Sequence, residues 1–403
     1  MSRRALATVL AALAAAPAAA QAASPPDIAS PEAIVIEPRS GDVAYSKDPD
    51  TRRPIASTTK LMTALLTLEH GGLQDMVTAP RYRAASGESV IGLIRGEQIT
   101  EADLLRGLLV YSANDAAVAL ADHVAGNVPS FVRMMNRRAQ ELGLDNTHYA
   151  NPVGLDETGN YSTARDLATL TLALRKHRFF RRTVNTNSLT LTSGAHERTL
   201  VNRNTLLADY PWIDGVKTGY TSQAGNVLVT SGTKRGVHLI SVVIGAASKL
   251  ARNDESLRLL DYAFPKFRVS RAIVAGDRVA TIPIDNRPGA ELPVVASRTV
   301  ARVKRRNEKF AFHASVPRHV AGPIHRGEKI GELAVLLRGR PVARVPLTAA
   351  LEIPKASAAR RAQNFLTRPW TLVVLGIILV LAALLSQRRP ASRPRRPSEE
   401  SAT

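Results

Sequence analysis

A change of texture near residue 265 constrains this chain more than any other feature. Before it, from about residue 31 to 264, apolar residues recur at helical and strand periods in turn, and glycines close the runs. After it, from about 268 to 354, the apolar runs shorten and are punctuated by Gly and Pro. A helix-and-strand domain over 30–264 followed by a small all-β domain over 268–354 is the expected organisation. With 403 residues, 45% of them apolar, the chain is long enough to build both cores.

Within the first region, 33–36 and 42–46 flank Ser40-Gly41 as a hairpin. Helices are expected over 61–69 (closed by Gly71-Gly72), 101–109, 115–125, 131–142 and 164–175. Strands over 225–232 and 237–245 follow, joined by a turn at 233–236. Helices in the middle and strands at both ends predict one sheet, drawn from both ends of the region and covered by helices. The fold class is α/β (α+β), and the sheet is expected to be mixed. In the second region strands are expected over 271–274, 278–284, 299–303, 311–316, 329–338 and 341–346.

The two ends speak to location. Arg3-Arg4, an Ala-rich apolar stretch to Ala16, and small residues permitting cleavage after Ala20 or Ala22 form a secretory signal over 1–22. A polar linker over 355–369 leads to an apolar run from Trp370 to Leu385, read as a membrane anchor helix over 370–386. An Arg-rich tail over 387–403 follows. The run is apolar all round, which favours a span over an interfacial helix, although its rise of about 24 Å is short of a ~30 Å bilayer core. The expected placement is the inner membrane, with the body in the periplasm and the tail in the cytoplasm.

Charge and composition exclude several functions. The formal net charge is +20, but residues 24–264 carry 26 basic and 25 acidic side chains, while 265–354 carry 17 and 7. A nearly neutral first region with few aromatics argues against nucleic acid as a partner. The basic β region could instead lie against anionic headgroups or wall polymer. No cysteine is present, which removes thiol nucleophiles, disulfides and cysteine-held metals. The histidines show no metal-binding spacing, and His123 and His238 sit among apolar residues and read as packed; no metal and no cofactor are expected.

Three short motifs carry chemistry. Ser57-Thr58-Thr59-Lys60 opens a helix, so a hydroxyl and an amine one turn apart can face one point. A serine needs a base, and burial can make a lysine that base. Ser231-Gly232-Thr233-Lys234 repeats the spacing, but in a hairpin turn, and reads as structural. Ser112-Ala113-Asn114, between two helices, can present a hydroxyl and an amide into a cleft, or simply cap a helix. Lys217-Thr218-Gly219 suits a strand edging a cleft, with Gly219 letting a substrate backbone approach.

In this order the three motifs resemble those of the penicillin-recognising serine enzymes. The stretches 54–63, 107–117, 151–155 (Asn151-Pro152-Val153-Gly154-Leu155) and 214–221 narrow the similarity to the low-molecular-mass D-alanyl-D-alanine carboxypeptidases. The resemblance covers roughly residues 30–350. It implies a serine β-lactamase/transpeptidase-like catalytic domain. It also implies substrates that are peptidoglycan stem peptides ending in D-Ala-D-Ala, and β-lactam antibiotics as acylating inhibitors. By the same resemblance Ser57 attacks, Lys60 takes its proton, and Ser112 with Lys217 returns a proton to the leaving amine. Asn114 holds the substrate amide. The backbone N–H groups of Ser57 and Tyr220 form the oxyanion hole, and Thr218 with Arg203 receives the terminal carboxylate. Tyr220 stands where some relatives carry His, and a true span replaces the amphipathic helix the family often uses.

Other readings share these motifs. A serine β-lactamase would need a water-activating Glu, and the nearest match, Glu141 to Asp145, ends in Asp and closes a helix. A D,D-endopeptidase would use the same machinery on cross-links. An inactive wall-binding scaffold would have no need of Ser57, Lys60, Ser112 and Lys217 together.

Overall fold

The computed structural model describes residues 24–285, 287–359, 362, 365 and 369–386. The secretory leader expected over 1–22 and the Arg-rich tail over 387–403 lie outside the described residues, and the 355–369 linker is described only in part. The chain falls into two compact units, one of residues up to 269 with 303–306, the other of 270–302 with the residues from 307 on.

The first unit is built on a five-stranded sheet of β1 (Glu32–Glu37), β2 (Asp42–Lys47) and, after a long helical excursion, β7 (Ile213–Thr221), β8 (Gly225–Lys234) and β9 (Val237–Ala246). Two small hairpins intervene, β3 (Met76–Thr78) with β4 (Gln98–Thr100), and β5 (Ser188–Leu191) with β6 (Arg198–Val201). The large sheet runs β2-β1-β9-β8-β7, so its two ends do meet, at the β1–β9 pair. The expectation of a mixed sheet fails: every neighbouring pair is antiparallel. The reason is local. Three of the four pairs are consecutive strands joined by short turns, which can only reverse direction, and no βαβ crossover supplies a parallel neighbour.

Both faces of this sheet are buried. Ile34 and Ile36, Val227 and Val229, and Ile240, Val242 and Ile244 point into one core. Ala33 and Val35, Leu228, and Leu239 and Val243 point into a second. This explains why the strands read as unbroken apolar runs instead of alternating ones. The second face is covered by α8 (Lys249–Ala263), through Leu259 and Leu260. The first carries α1 (Lys60–His70), α2 (Glu101–Arg106), α3 (Asn114–Ala125), α4 (Val128–Glu141), α5 (Ala164–Leu174) and the short α6 (Arg178–Val184) before β5, while the short α7 (Leu206–Asp209), between β6 and β7, puts Leu206 into the second core. Lys60 through Thr67 are all buried, so α1 is a central helix, covered on every side and in contact with α3, α4 and α5.

Two expectations are corrected. The helix expected over 101–109 stops at Arg106 and widens into a π-helical turn, Gly107–Tyr111, that ends at Ser112. The second S-x-x-K does not lie in a turn: Ser231 to Lys234 close β8, and the turn is Arg235-Gly236. Buried Ser231 accepts from Arg175 at 2.9 Å, and Lys234 pairs with Asp261 at 2.7 Å over the Trp212 ring. The structural reading of that motif stands.

The chain crosses between units within β10 (Phe267–Ile273) and within β13 (Val300–Arg305). The second unit holds a five-stranded antiparallel sheet in the order β11-β12-β16-β15-β14. Its strands are β11 (Arg278–Pro283), β12 (Glu291–Ala296), β14 (Phe310–Ser315), β15 (Lys329–Leu337) and β16 (Arg340–Ala349). Leu292, Val294, Leu333, Val335, Val345 and Leu347 form its core. β12 was not expected, because Pro293 reads as a breaker; Pro293 pairs only with β11, and the ladder to β16 starts at Val294. The apolar run near the C-terminus is a helix, α9 (Pro369–Ser386), with exposed Leu, Val and Ile side chains. Among the described residues no helix is long and apolar enough to cross a membrane.

Candidate active site

The site begins where the chain enters α1. A single 3-10 turn, Ala56–Thr59, precedes the helix, and Ala56 holds a left-handed φ of +48°. That kink is locked from below. Gly154, at φ +86°, lies so close that a Cβ there would stand 2.1 Å from the Ala56 carbonyl oxygen. Only glycine fits at 154 on both counts. Asn151 shapes the same loop, accepting the N–H groups of Val153 at 3.2 Å and Gly154 at 2.7 Å.

The loop supplies the reason why Lys60 is useful. Its Nζ donates to the Val153 carbonyl at 2.5 Å and to Ser57 Oγ at 3.0 Å, and the residue is fully buried. Burial pushes the Lys60 ammonium down to about 7, although Glu88 and Asp115 pull the other way. The amine is thus within hydrogen-bond reach of the hydroxyl and neutral in a sizeable fraction near neutral pH.

Ser112 sits at the end of the π-helical turn at φ +70°, uncommon for a residue with a side chain. Wide turns and left-handed residues re-aim side chains at functional sites. Asn114 opens α3, and its carboxamide nitrogen donates to Glu88 at 2.7 Å. The Tyr82 hydroxyl donates to the same Glu88 oxygen. Burial opposes the Glu88 charge, but these bonds and the Ala85 N–H outweigh it and hold the carboxyl below the usual range. Asp115 fastens the approach by accepting from Ile91 at 3.1 Å and Leu93 at 3.0 Å.

The opposite wall is β7. Lys217 is buried and donates to the Thr218 carbonyl at 2.9 Å. Its own burial, then the positive charges of Lys60, Arg252 and Arg203, push its pKa well below the lysine range. Gly219 presses on the nucleophile turn: a Cβ there would stand 3.1 Å from Ser57 N and 3.0 Å from the Ala56 Cβ. Tyr220 points outward and is 63% exposed.

A cleft of about 710 Å³ joins these walls, lined by Ser57, Ser112, Arg203, Thr218, Gly219 and Tyr220 among others. Lys60 lies behind Ser57, and the carboxamide of Asn114 is turned to Glu88. Arg203 follows β6. Its N–H donates to the Val110 carbonyl at 3.0 Å, its guanidinium donates to Tyr111 O at 3.3 Å and Ser89 Oγ at 3.2 Å, and it lies 4.2 Å from the Tyr111 ring centroid. A planar fork held this way is not a loose surface ion pair.

Three participants carried no sequence signal of their own. Arg252 comes from α8, is buried, and reaches the Gly219 carbonyl at 3.5 Å; burial lowers its pKa to about 10, so it stays charged. Glu88 and Asp156 brace the walls, Asp156 by accepting from Thr221 Oγ1 at 2.7 Å. Glu141, the nearest counterpart of a water-activating Glu, is exposed at the end of α4 and paired with Arg138 at 2.9 Å.

Known proteins share this architecture. Residues 19–248 match the peptidase S11 family, described as D-alanyl-D-alanine carboxypeptidase. The D-alanyl-D-alanine carboxypeptidase DacF of Bacillus subtilis (strain 168) is 33% identical over 333 residues, covering 80% of this chain and 86% of its own. DacA of Escherichia coli (strain K12), of the same description, is 31% identical over 350 residues, with coverages of 82% and 85%. Among solved structures, penicillin binding protein 5 from Haemophilus influenzae is 31% identical, with a TM-score of 0.61 over 83% of this chain and all of that one. The Streptomyces K15 DD-transpeptidase is 35% identical, with a TM-score of 0.58 over 60% of this chain and 99% of its own. A match across more than half of the chain, and relatives above 30% identity through four-fifths of it, settle its kinship: this protein belongs to the peptidase S11 family of D-alanyl-D-alanine carboxypeptidases.

Proposed function

We propose that this protein is a penicillin-sensitive serine carboxypeptidase that removes the terminal D-alanine from peptidoglycan stem pentapeptides in cell-wall remodelling. The observation that carries the reading is the Lys60 amine, fully buried and 3.0 Å behind Ser57 Oγ, which lines a cleft together with Arg203. Neutral Lys60 accepts the Ser57 proton as Oγ attacks the carbonyl between the two D-alanines. The Ser57 and Tyr220 N–H groups stabilise the oxyanion, a contribution of ~3 kcal/mol per donor in comparable sites. Arg203 and Thr218 receive the terminal carboxylate, with buried Arg252 adding positive charge beneath them. Ser112 and Lys217 pass a proton to the leaving amine. Asn114 has one amide donor on Glu88 and keeps a second donor and its oxygen for the substrate backbone. Water then attacks the acyl-enzyme, with Lys60 again as base, and frees the shortened peptide. A β-lactam follows the first half of this course and stays bound as the acyl-enzyme.

Release of free D-alanine from a pentapeptide ending in D-Ala-D-Ala, measured for the full chain beside Ser57→Ala, tests this. Release lost in the variant is expected; no release from either protein would overturn the reading. A cross-linked peptide dimer in the same assay separates an endopeptidase. The exposed, ion-paired position of Glu141 argues against a β-lactamase.

We place the protein at the inner membrane by its ends. The 1–22 leader directs the body to the periplasm. The exposed apolar side chains of α9 support a C-terminal anchor, with tail 387–403 in the cytoplasm and the basic residues of 265–354 facing anionic lipid or wall.

A further inference from the structure

Away from the cleft, three ligand-type side chains from three separate segments converge. His123 lies in the last turn of α3, Glu101 at the first position of α2, and Asp75 in the loop after α1. His123 Nε2 stands 3.9 Å from Glu101 Oε2 and 3.9 Å from Asp75 Oδ2, and one ligand atom from each of the three lies within 4.8 Å of the others. Glu101 is the informative member. Its side chain is 1% exposed, and neither carboxylate oxygen has a hydrogen-bond partner. It is wedged against the chain where α1 ends, since a Cβ at Gly71 would meet its Oε2 at 1.8 Å. A buried carboxylate without a hydrogen bond or a close cation is costly and rare, because water is gone and nothing replaces it.

We propose that Asp75, Glu101 and His123 bind a divalent transition-metal ion of the zinc type. One imidazole and two carboxylates form a donor set that suits Zn²⁺, with water in the fourth position. Tetrahedral bonds of 2.0–2.2 Å place donors about 3.4 Å apart, so the two 3.9 Å pairs of His123 need to close by about half an ångström, and the Asp75–Glu101 pair, within 4.8 Å, by up to about 1.4 Å. Two of the three side chains are partly open to solvent, so an ion can enter. The carbonyl ends of α1 and α3 favour positive charge there. The same two helices carry Lys60 and Asn114 at their opposite ends, so the ion braces the floor of the cleft and takes no part in the chemistry. Glu101 stands at position 101, Asp75 and His123 more than twenty residues to either side, so no spacing in the sequence announces the site.

Zinc chloride titrated into the chelator-treated full chain, by calorimetry and by melting, tests the site beside His123→Gln and Glu101→Gln. One saturable equivalent and a raised Tm are expected for the natural chain, with binding at least tenfold weaker in either variant. His123 is partly exposed, so its variant keeps the fold, which circular dichroism checks. Glu101→Gln removes an uncompensated charge, so in chelator it melts no lower than the natural chain. No saturable equivalent, or one undiminished in both variants, would show that only other histidines take up zinc and would overturn the proposal. So would a Glu101→Gln chain that melts lower in chelator, since the carboxylate would then have a structural partner of its own.

Discussion

Lys60 is where chemistry and stability pull against each other. Its folded pKa, about 7, lies below the unfolded value near 10.4, so between those limits the unfolded chain binds the extra proton. The burial penalty is therefore full below about pH 7 and fades as pH rises towards 10. The neutral amine that catalysis needs appears over the first part of that range. Acylation by a β-lactam should fall about tenfold per unit below pH 7 and level off above it; stopped-flow rates from pH 5 to 9 check this, and a flat profile would refute Lys60 as base. Lys60→Met should abolish acylation yet raise the Tm, most at pH 7 and less by pH 9.5. The orphaned Val153 carbonyl returns about 1 kcal/mol of that gain. Scanning calorimetry at the two pH values reads the difference. Ser57, Lys60, Ser112, Asn114 and Lys217 were legible as residues because each belongs to a short local pattern. Glu88, Asp156 and Arg252 were not: each enters the site through tertiary contact alone, and nothing beside them in the chain marks a role.

Elements were legible where period and punctuation agreed, as in α1, α3, α5, β8 and β9, and less so where geometry bends a regular element to a purpose. The helix over 101–109 looks continuous because Gly-Leu-Leu-Val has helical spacing. What breaks it is the need to turn Ser112 into the cleft, and the close fit of Gly107 to the Ile91 side chain. The antiparallel order of the sheet was hidden for another reason: periodicity gives a strand its faces but no direction. The loop before α5 makes the sharpest claim at this scale. Gly154→Ala must carry a Cβ at φ +86° and 2.1 Å from a backbone oxygen, a cost of ~2–4 kcal/mol from strain and forced movement. The displaced atom belongs to the turn that presents Ser57, so acylation should drop at least tenfold in protein that still folds. Urea denaturation and penicillin-binding rates measure the two effects. Lys234→Ala is the contrasting control, since it disables the second S-x-x-K. It should cost about 1 kcal/mol or less, through Trp212 and Asp261, and leave acylation unchanged.

At the scale of the molecule, charge and apolar surface are divided along the chain. The catalytic region is nearly neutral, the excess of ten positive charges lies in 265–354, and the large exposed apolar stretch is α9. In the proposed placement at the inner membrane this stretch is the apolar contact with lipid, and its 18 residues rise about 27 Å. The proposed placement implies two separable attachments: an apolar one in α9 that salt does not weaken, and a Coulombic one in the basic strands that salt screens over ~8 Å at physiological strength. A chain ending at residue 354 should lose the first and keep the second. It should leave the pellet of anionic-lipid vesicles as salt rises from about 50 to 500 mM, while the full chain stays. Because Ser57, Lys60 and Arg203, to which the proposed function gives the attack, the base and the terminal carboxylate, all lie before residue 264, D-alanine release from a soluble pentapeptide should match the full chain within about twofold. A truncated chain that sediments regardless of salt would place the main attachment in 265–354 and leave α9 without its assigned role.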